Sequence, residues 1–294
     1  MGTGIGSTLA FLLAGMLAES ELGYPGIFWL VGILCSIAFF LHTFLGAATP
    51  NEHKFVSEKE KKYIVRDHVE KVVKKSKVPW KKILTSIPLW ATVIAHVGNS
   101  MAFVFIFMQV PSYMVGVLNF NIMAVTLPYL GSCFSALAFG NLSDYLTNRK
   151  IISMKMARII FNSIACVIPA ICLIIVTFTN NSILAVVCFV ILSTANSGYH
   201  FSWMVNYIDL SPNYCGTLMA IGNTLTNIFA VVLPIIISFV VTDMTNRYQW
   251  RILLLLMAGV TFVSNIIFTI FMSADIQPWN KGDEEEEEDA AKQA

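Results

Sequence analysis

Two histidines, His96 and His200, lie inside long apolar runs that are otherwise uncharged. An ionisable group in hydrocarbon costs at least about 2.5–3.5 kcal/mol, so such residues face a cavity or a partner. Each histidine suits a neutral, hydrogen-bonded role within a helix bundle or a place on a substrate or proton path. Uncharged polar side chains surround them. Asn99, Ser100, Gln109 and Ser112 share the run of His96, and Asn196, Ser197, Ser202 and Asn206 share that of His200. Asn223, Thr224, Thr226 and Asn227 form a third stripe. Amides and hydroxyls unpaired in lipid are costly, so these groups either join helices to one another or face water. Three such stripes in one bundle point to a wet path. Gly98, Gly198, Gly216, Gly222, Pro111 and Pro234 supply the breaks and close approaches that transport helices use. The path candidates are therefore His96, Asn99, Gln109, Asn196, His200 and Asn223. A second cluster is ionic: Asp144 precedes Arg149 and Lys150 at a short turn between apolar runs. There a carboxylate can hold a helix N-terminus or a nearby arginine in one conformation and release it in another. An ordinary charged turn has the same composition. No Ser, Cys or carboxylate stands at a catalytic spacing beside any of the five histidines, so the sequence offers no enzyme.

These residues need helices long enough to bury them. The chain is 56% hydrophobic and 13% charged, against about 25% charged for a soluble domain. A bilayer core is crossed by about 20 apolar residues in a helix. Eight runs satisfy this reading, over residues 2–18, 27–45, 87–113, 123–139, 151–177, 183–207, 218–241 and 252–272. The expectation is an all-α polytopic membrane protein with the lipid bilayer as its principal partner. A net charge of +1 implies no nucleic-acid partner. The six cysteines form no CxxC pair, and five lie in apolar runs where Cys acts as a small hydrophobe. No metal or cofactor site is expected, and the sequence assigns no oligomeric state.

Eleven of the nineteen Lys and Arg residues fall within residues 48–85. Basic residues close to a span are retained on the cytoplasmic side, which places both termini there as well. The turn carrying Asp144, Arg149 and Lys150 agrees, whereas Arg247 and Arg251, read into the last outer loop, run against the rule. Within the basic segment, Ser57 and Glu60 form a capping box. It opens a helix expected to reach Val73, with Ile64, His68, Val69, Val72 and Val73 on one face. That helix suits the inner membrane surface, bracing of the bundle, or a partner. Residues 283–289 are all acidic and read as a solvated tail.

Longer strings narrow the family. The segment Gly140-Asn-Leu-Ser-Asp144-Tyr-Leu-Thr-Asn-Arg149-Lys150 resembles the cytoplasmic loop signature of major facilitator transporters. The chain further resembles their anion/cation symporter branch, which includes type I sodium–phosphate cotransporters, sialin and vesicular glutamate transporters. It is particularly similar to the inorganic phosphate cotransporters of that branch. The matching strings include Ser57-Glu-Lys-Glu-Lys-Lys-Tyr63-Ile64, Val78-Pro79-Trp80-Lys81-Lys82, Pro111-Ser-Tyr113-Met114 and Leu127-Pro128-Tyr129. Asp209-Leu-Ser211-Pro212, Gly216-Thr217-Leu218-Met219 and Gly222-Asn223-Thr224 complete them. The resemblance covers the chain except its acidic tail.

It implies a major facilitator fold of about eight helices, a partial N-terminal half followed by a complete C-terminal half. Residues 1–47 would be the last two helices of the N-terminal bundle and 48–85 the central cytoplasmic loop. Residues 86–273 would be the six-helix C-terminal bundle and 274–294 the tail. The family has about twelve spans in two halves, and the match begins at the fifth, so the chain reads as N-terminally truncated. The implied function is transport of inorganic phosphate or an organic anion, coupled to Na+ or H+, in a plasma, lysosomal or vesicular membrane. The alternative is a non-transporting paralogue with a regulatory or assembly role. Asp144 and Arg149 would form the gate. Family glutamate transporters carry an arginine where Asn99 stands, which argues against glutamate as substrate.

Overall fold

A computed structural model describes residues 2–47, 52–53, 55–67, 78–120 and 126–281. The described residues are helical, with no strand among them. The chain divides into two compact units, Leu13–Ser76 and Met1–Leu12 with Lys77–Ala294.

In the smaller unit, the end of α1 (Gly2–Ala18) and α2 (Gly23–Leu45) flank a tight turn in which the Gly23 amide donates to the Ser20 carbonyl (3.0 Å). Aromatic residues Phe28, Trp29, Phe39, Phe40 and Phe44 are exposed along α2. A helix apolar on every side has the character of a membrane span. The amphipathic α3 (Glu58–Asp67) begins where expected, with the Ser57 Oγ accepting from the Glu60 amide (3.3 Å). The expected continuation to Val73, with His68, Val69, Val72 and Val73, lies outside the described residues.

The larger unit holds α4 (Trp80–Leu84), α5 (Ile87–Gly116), α6 (Leu127–Asn148), α7 (Met154–Phe178), α8 (Ser182–Asn196), α9 (Trp203–Leu210), α10 (Cys215–Val240) and α11 (Arg247–Phe271). Several starts have a local cause. Ser153, Asn181 and Asn246 cap α7, α8 and α11 by accepting hydrogen bonds from amides of the first turn. Proline stands at the start of α5 and α6, where its missing N–H costs nothing. The helices α5, α7 and α11 form a packed centre, with α8 against α6 and α7, and α10 against α5.

Six helices among the described residues are long and apolar enough to cross a membrane, counting Ser182–Leu210 as one. The other two of the expected eight fall outside that set. α1, at 17 residues, is at the short end of what spans hydrocarbon, and α6 is lengthened by a polar extension. This is an all-α polytopic membrane protein.

Three expected boundaries differ. The segment from Gly140 was read as a loop, yet α6 continues through it to Asn148. Leu142, Tyr145 and Leu146 keep a helical spacing there, and the helix stops only at Lys150, whose φ of 54° is left-handed. The last helix starts at Arg247 instead of residue 252, because Asn246 caps it. Arg247 and Arg251 therefore lie in its first turns, where Arg247 Nη1 donates to Asn180 Oδ1 (3.0 Å) and Arg251 Nε to the Thr177 carbonyl (3.1 Å). The span read as continuous over 183–207 is broken. A 3₁₀ turn, Ser197–Phe201, separates α8 from α9.

Candidate functional site

The larger unit has two apolar layers. One contains Phe105, Val110, Tyr113, Val176, Phe189 and Trp250. The other contains Ile83, Leu89, Leu210, Tyr214, Phe268 and Trp279. On each of α5, α7 and α11, and along α8–α9, one set of buried polar residues falls between the stretches that feed these layers: Asn99 on α5, Asn162 on α7, Asn196 to Ser202 at the α8–α9 break, and Thr261, Ser264 and Asn265 on α11. Thr92, His96, Thr177 and Asn206 are buried within or beyond those stretches. The result is a polar belt at mid-depth, closed by apolar side chains on both sides.

Most of the belt is internally satisfied. Ser202 Oγ donates to Asn162 Oδ1 (3.1 Å), and Asn162 Nδ2 donates to Asn265 Oδ1 (2.8 Å). Ser135 and Ser197 share a hydrogen bond of 2.7 Å between α6 and the 3₁₀ turn. Deeper in the second layer, Thr92 Oγ1 donates to Asn206 Oδ1 (2.6 Å), whose amide donates to the Ser273 carbonyl (2.8 Å). Interhelical bonds of this kind contribute on average about 0.6 kcal/mol each in a membrane bundle. Asn162, Asn206 and Ser202 are fully buried helix-joining groups.

The break in α8–α9 is fixed from both sides. A Cβ on Gly198 would stand 2.8 Å from the Phe161 carbonyl of α7, so only glycine allows this approach. Below it, Arg158 of α7 clamps the turn and α9 together. Its Nε and one terminal nitrogen donate to the two carboxylate oxygens of Asp209 (2.7 and 3.2 Å), and the other donates to the Phe201 carbonyl (3.2 Å). The pair is largely dry, with side-chain exposures of 6% and 14%. A bidentate arginine–carboxylate contact is the strong form of ion pair.

The predicted path residues separate into groups. His96 is buried, stacked on Trp203 with ring centroids 3.8 Å apart, and shares a hydrogen bond of 3.1 Å with Tyr207 Oη. This pair rests on α10 at Gly222, where a Cβ would collide with both Tyr207 Oη and His96 Nδ1. Asn99 lies one turn further along α5, and its amide nitrogen donates to the Ala95 carbonyl (3.1 Å) and Cys166 Sγ (3.2 Å). Its Oδ1 is buried without a hydrogen-bond partner. Asn196 is 4% exposed, and its Nδ2 is likewise buried and unpartnered.

The others stand apart. His200 is half-buried against Tyr199, with Nδ1 3.4 Å from Met204 Sδ. Gln109 is half-buried in the stretch of α5 that feeds the first apolar layer, beyond the belt. Asn223 is exposed on α10, its carbonyl accepting from Asn227 (2.8 Å). Asp144 and Arg149 are both exposed and form no ion pair with each other; Arg149 lies over the Tyr145 ring, 5.8 Å from its centroid.

Sequence reasoning missed Trp203 and the Arg158–Asp209 clamp. Trp203 is 4% exposed, and its Nε1, like Ser193 Oγ on α8, is a further buried polar atom without a hydrogen-bond partner. Its signal was an indole one α9 turn from Tyr207, in the run of His200. Arg158 and Asp209 were visible only as charges near opposite ends of separate runs. No metal-binding group of His, Cys, Asp and Glu occurs among the described residues. What the belt and its rim offer chemically is hydrogen bonding without fixed charge: the orphan donors Asn196 Nδ2 and, at the rim, Trp203 Nε1, the orphan hydroxyl Ser193 Oγ, and the orphan acceptor Asn99 Oδ1.

Comparison with known proteins identifies the family. Residues 1–234 match the family model of the Major Facilitator Superfamily. The chain is 30% identical over 287 residues to sialin of Homo sapiens, covering 96% of this chain and 58% of that protein. It is 30% identical over 305 residues to a "Putative inorganic phosphate cotransporter" of Drosophila melanogaster, covering 98% and 56%. Vesicular glutamate transporter 2 of Homo sapiens is 28% identical over 297 residues, at 98% and 50%. The chain thus spans half to three-fifths of the length of these relatives. With its helices, its polar belt and this match over most of its length, the chain belongs to the major facilitator superfamily.

Proposed function

We propose that the chain serves transport of a small anion, inorganic phosphate or an organic anion, by alternating access coupled to Na+ or H+. The observation that carries this reading is the mid-depth belt with its unpartnered donors, Asn196 Nδ2 and Trp203 Nε1. A buried donor without an acceptor costs about 1–3 kcal/mol. An anion entering the belt supplies the acceptor and recovers that cost. The belt holds no fixed positive charge among the described residues, since Arg158 is committed to Asp209. An anion entering it alone would bring an uncompensated charge into low dielectric. A co-transported Na+ or proton removes most of that penalty, which is why the coupling belongs to the proposal. His96, bonded to Tyr207 and stacked on Trp203, is a titratable group beside one of these donors.

The moving element in this reading is the broken helix. The 3₁₀ turn Ser197–Phe201 separates α8, which ends in Asn196, from α9, which begins with Trp203. A rotation there moves one orphan donor relative to the other. Arg158–Asp209 holds the lower segment closed, while Asp144 and Arg149 are exposed charges free to exchange partners in the opposite state. Residues 1–47 belong to the N-terminal bundle in this scheme, 48–85 to the central cytoplasmic loop, 86–273 to the C-terminal bundle and 274–294 to the tail. Both termini are cytoplasmic, and the host membrane is plasma, lysosomal or vesicular. The names of relatives include phosphate and glutamate. Asn99, standing where the family's glutamate transporters carry arginine, favours phosphate or another anion over glutamate.

The test is uptake of labelled phosphate, glutamate and a panel of carboxylates into vesicles carrying the full chain, under an imposed Na+ or pH gradient. Saturable, gradient-dependent accumulation of one anion supports the reading. Accumulation equal to that of protein-free vesicles for every anion overturns it.

A further inference from the structure

An apolar groove adjoins the belt at Ser264. Helices α5, α10 and α11 leave an open apolar groove of about 750 Å³, lined by Trp90, Val97, Gly98, Phe229, Gly259 and Val263 among others. Ser264 is its polar wall residue, and that hydroxyl is already spent on the Thr261 carbonyl (2.9 Å). The groove therefore asks for hydrocarbon. Along α5 it runs from Trp90 to Met101. At about 1.5 Å per residue that is about 16 Å, close to half the roughly 30 Å hydrocarbon core, or one leaflet.

One end of the groove is tied to a basic element. Trp90 Nε1 donates to the Leu84 carbonyl at 2.7 Å, joining the groove wall to the last residue of α4. That short helix is pinned by the fully buried Ile83 and presents Lys81 and Lys82 in its last turn, both exposed. Trp80 on the same helix is 52% exposed, and Trp90 is 38% exposed. Indoles at the end of a span sit at the headgroup level, and lysines beside them attract anionic lipid. A leaflet-deep apolar trough with indoles and an exposed lysine at its α4 end has the polarity of a single phospholipid.

We propose that this groove holds an acyl chain of one anionic phospholipid of the cytoplasmic leaflet, with its phosphate at Lys81. The proposal needs the chain to span the membrane with its basic segment inside. It stands independently of which anion, if any, is transported.

Gly259 gives a clean test, because a Cβ built there meets nothing within 4 Å. Gly259→Leu directs a side chain into the groove without touching backbone, and it raises helix propensity. Gly6→Leu, equally uncrowded, is the control. Full chain in detergent would be offered palmitoyl-oleoyl phosphatidylserine or the matching phosphatidylcholine, and retained lipids counted by native mass spectrometry. The expected result is one retained phosphatidylserine on the wild type and on Gly6→Leu, and none on Gly259→Leu at unchanged helicity by circular dichroism. Lys81→Gln should cut the preference for phosphatidylserine about fivefold, while a neutral lipid still binds. Equal retention of both lipids by the wild type overturns the proposal, as does lipid surviving on Gly259→Leu. So does a Gly259→Leu chain that loses a dimer instead of a lipid, since the groove would then seat a second copy.

Discussion

Breaking the Arg158–Asp209 clamp should unfold the bundle more readily than any other single polar change, and in a non-additive way. Asp209→Leu leaves a guanidinium that is 5% exposed with no counter-charge. Arg158→Met leaves a carboxylate at 14% exposure and frees the Phe201 carbonyl. Removing one partner of a buried pair costs about 3–5 kcal/mol, mostly through the uncompensated charge left behind. Replacing both by apolar residues of similar volume is near neutral. The double variant should therefore lose only about 1 kcal/mol, the ordinary net value of the Phe201 hydrogen bond. The expected coupling energy is then about 5 kcal/mol or more, and the double variant is more stable than either single one. The assay is unfolding of the full chain from micelles by a denaturing detergent, followed by far-ultraviolet circular dichroism across all four proteins. Single losses below about 1 kcal/mol that simply add would refute the claim that this pair is dry and structural.

Other changes have definite expected outcomes. Gly222→Val forces apart Tyr207 Oη and His96 Nδ1, the atoms a Cβ would strike. It should lower stability by about 1–3 kcal/mol as an overpacking change, with altered Trp203 emission, whereas Asn223→Val beside it should stay within about 0.5 kcal/mol. Gly198→Ala meets the Phe161 backbone at 2.8 Å and should likewise destabilise, while Gly216→Ala, with open space around it, should not. Asp243 lies outside the spans, where hydrogen bonds from Thr245 Oγ1 and the Thr245 amide (2.7 and 2.9 Å) hold its carboxyl below the ordinary carboxylate value. A lowered folded value means the loop gains stability above the ordinary carboxylate range and loses it as pH falls through the lowered value. Thr245→Val should move the Asp243 titration upward by carbon-detected NMR.

How much of this was legible in the sequence depends on what each feature requires. Helices α5, α7 and α10 were visible because hydropathy and length suffice for a membrane span. The start of α3 was visible because Ser57 and Glu60 carry their own geometry. The position of the break at Ser197–Phe201 was only hinted at by Gly198, since the apolar run of α8 carries the whole segment as one uncharged span and no proline marks the turn. The extension of α6 was hidden for the opposite reason: polarity at Asn141 and Asp144 ends a membrane run without ending a helix. For the site, Asn99 and Asn196 stood out as amides among apolar neighbours, and the structure buries both. Asn223 was indistinguishable from them by type. A helix turns about 100° per residue, so with Gly222 facing His96 its neighbour is carried out to the exposed surface. Arg158 and Asp209 are 51 positions apart, and no local pattern joins them.

The central claim is that the belt's unpartnered donors bind the anion, and Asn196→Leu tests it most directly because binding and packing give opposite signs there. Asn196 Nδ2 is buried without a partner, so an apolar residue of similar shape should stabilise the empty protein, by up to about 1–3 kcal/mol. The measurement is equilibrium binding of labelled phosphate and glutamate to the full chain, paired with unfolding of the same samples. The account expects Asn196→Leu to be at least as stable as the wild type and to bind its anion at least about tenfold more weakly. A variant that keeps full anion affinity, or that loses stability and affinity together, would contradict it.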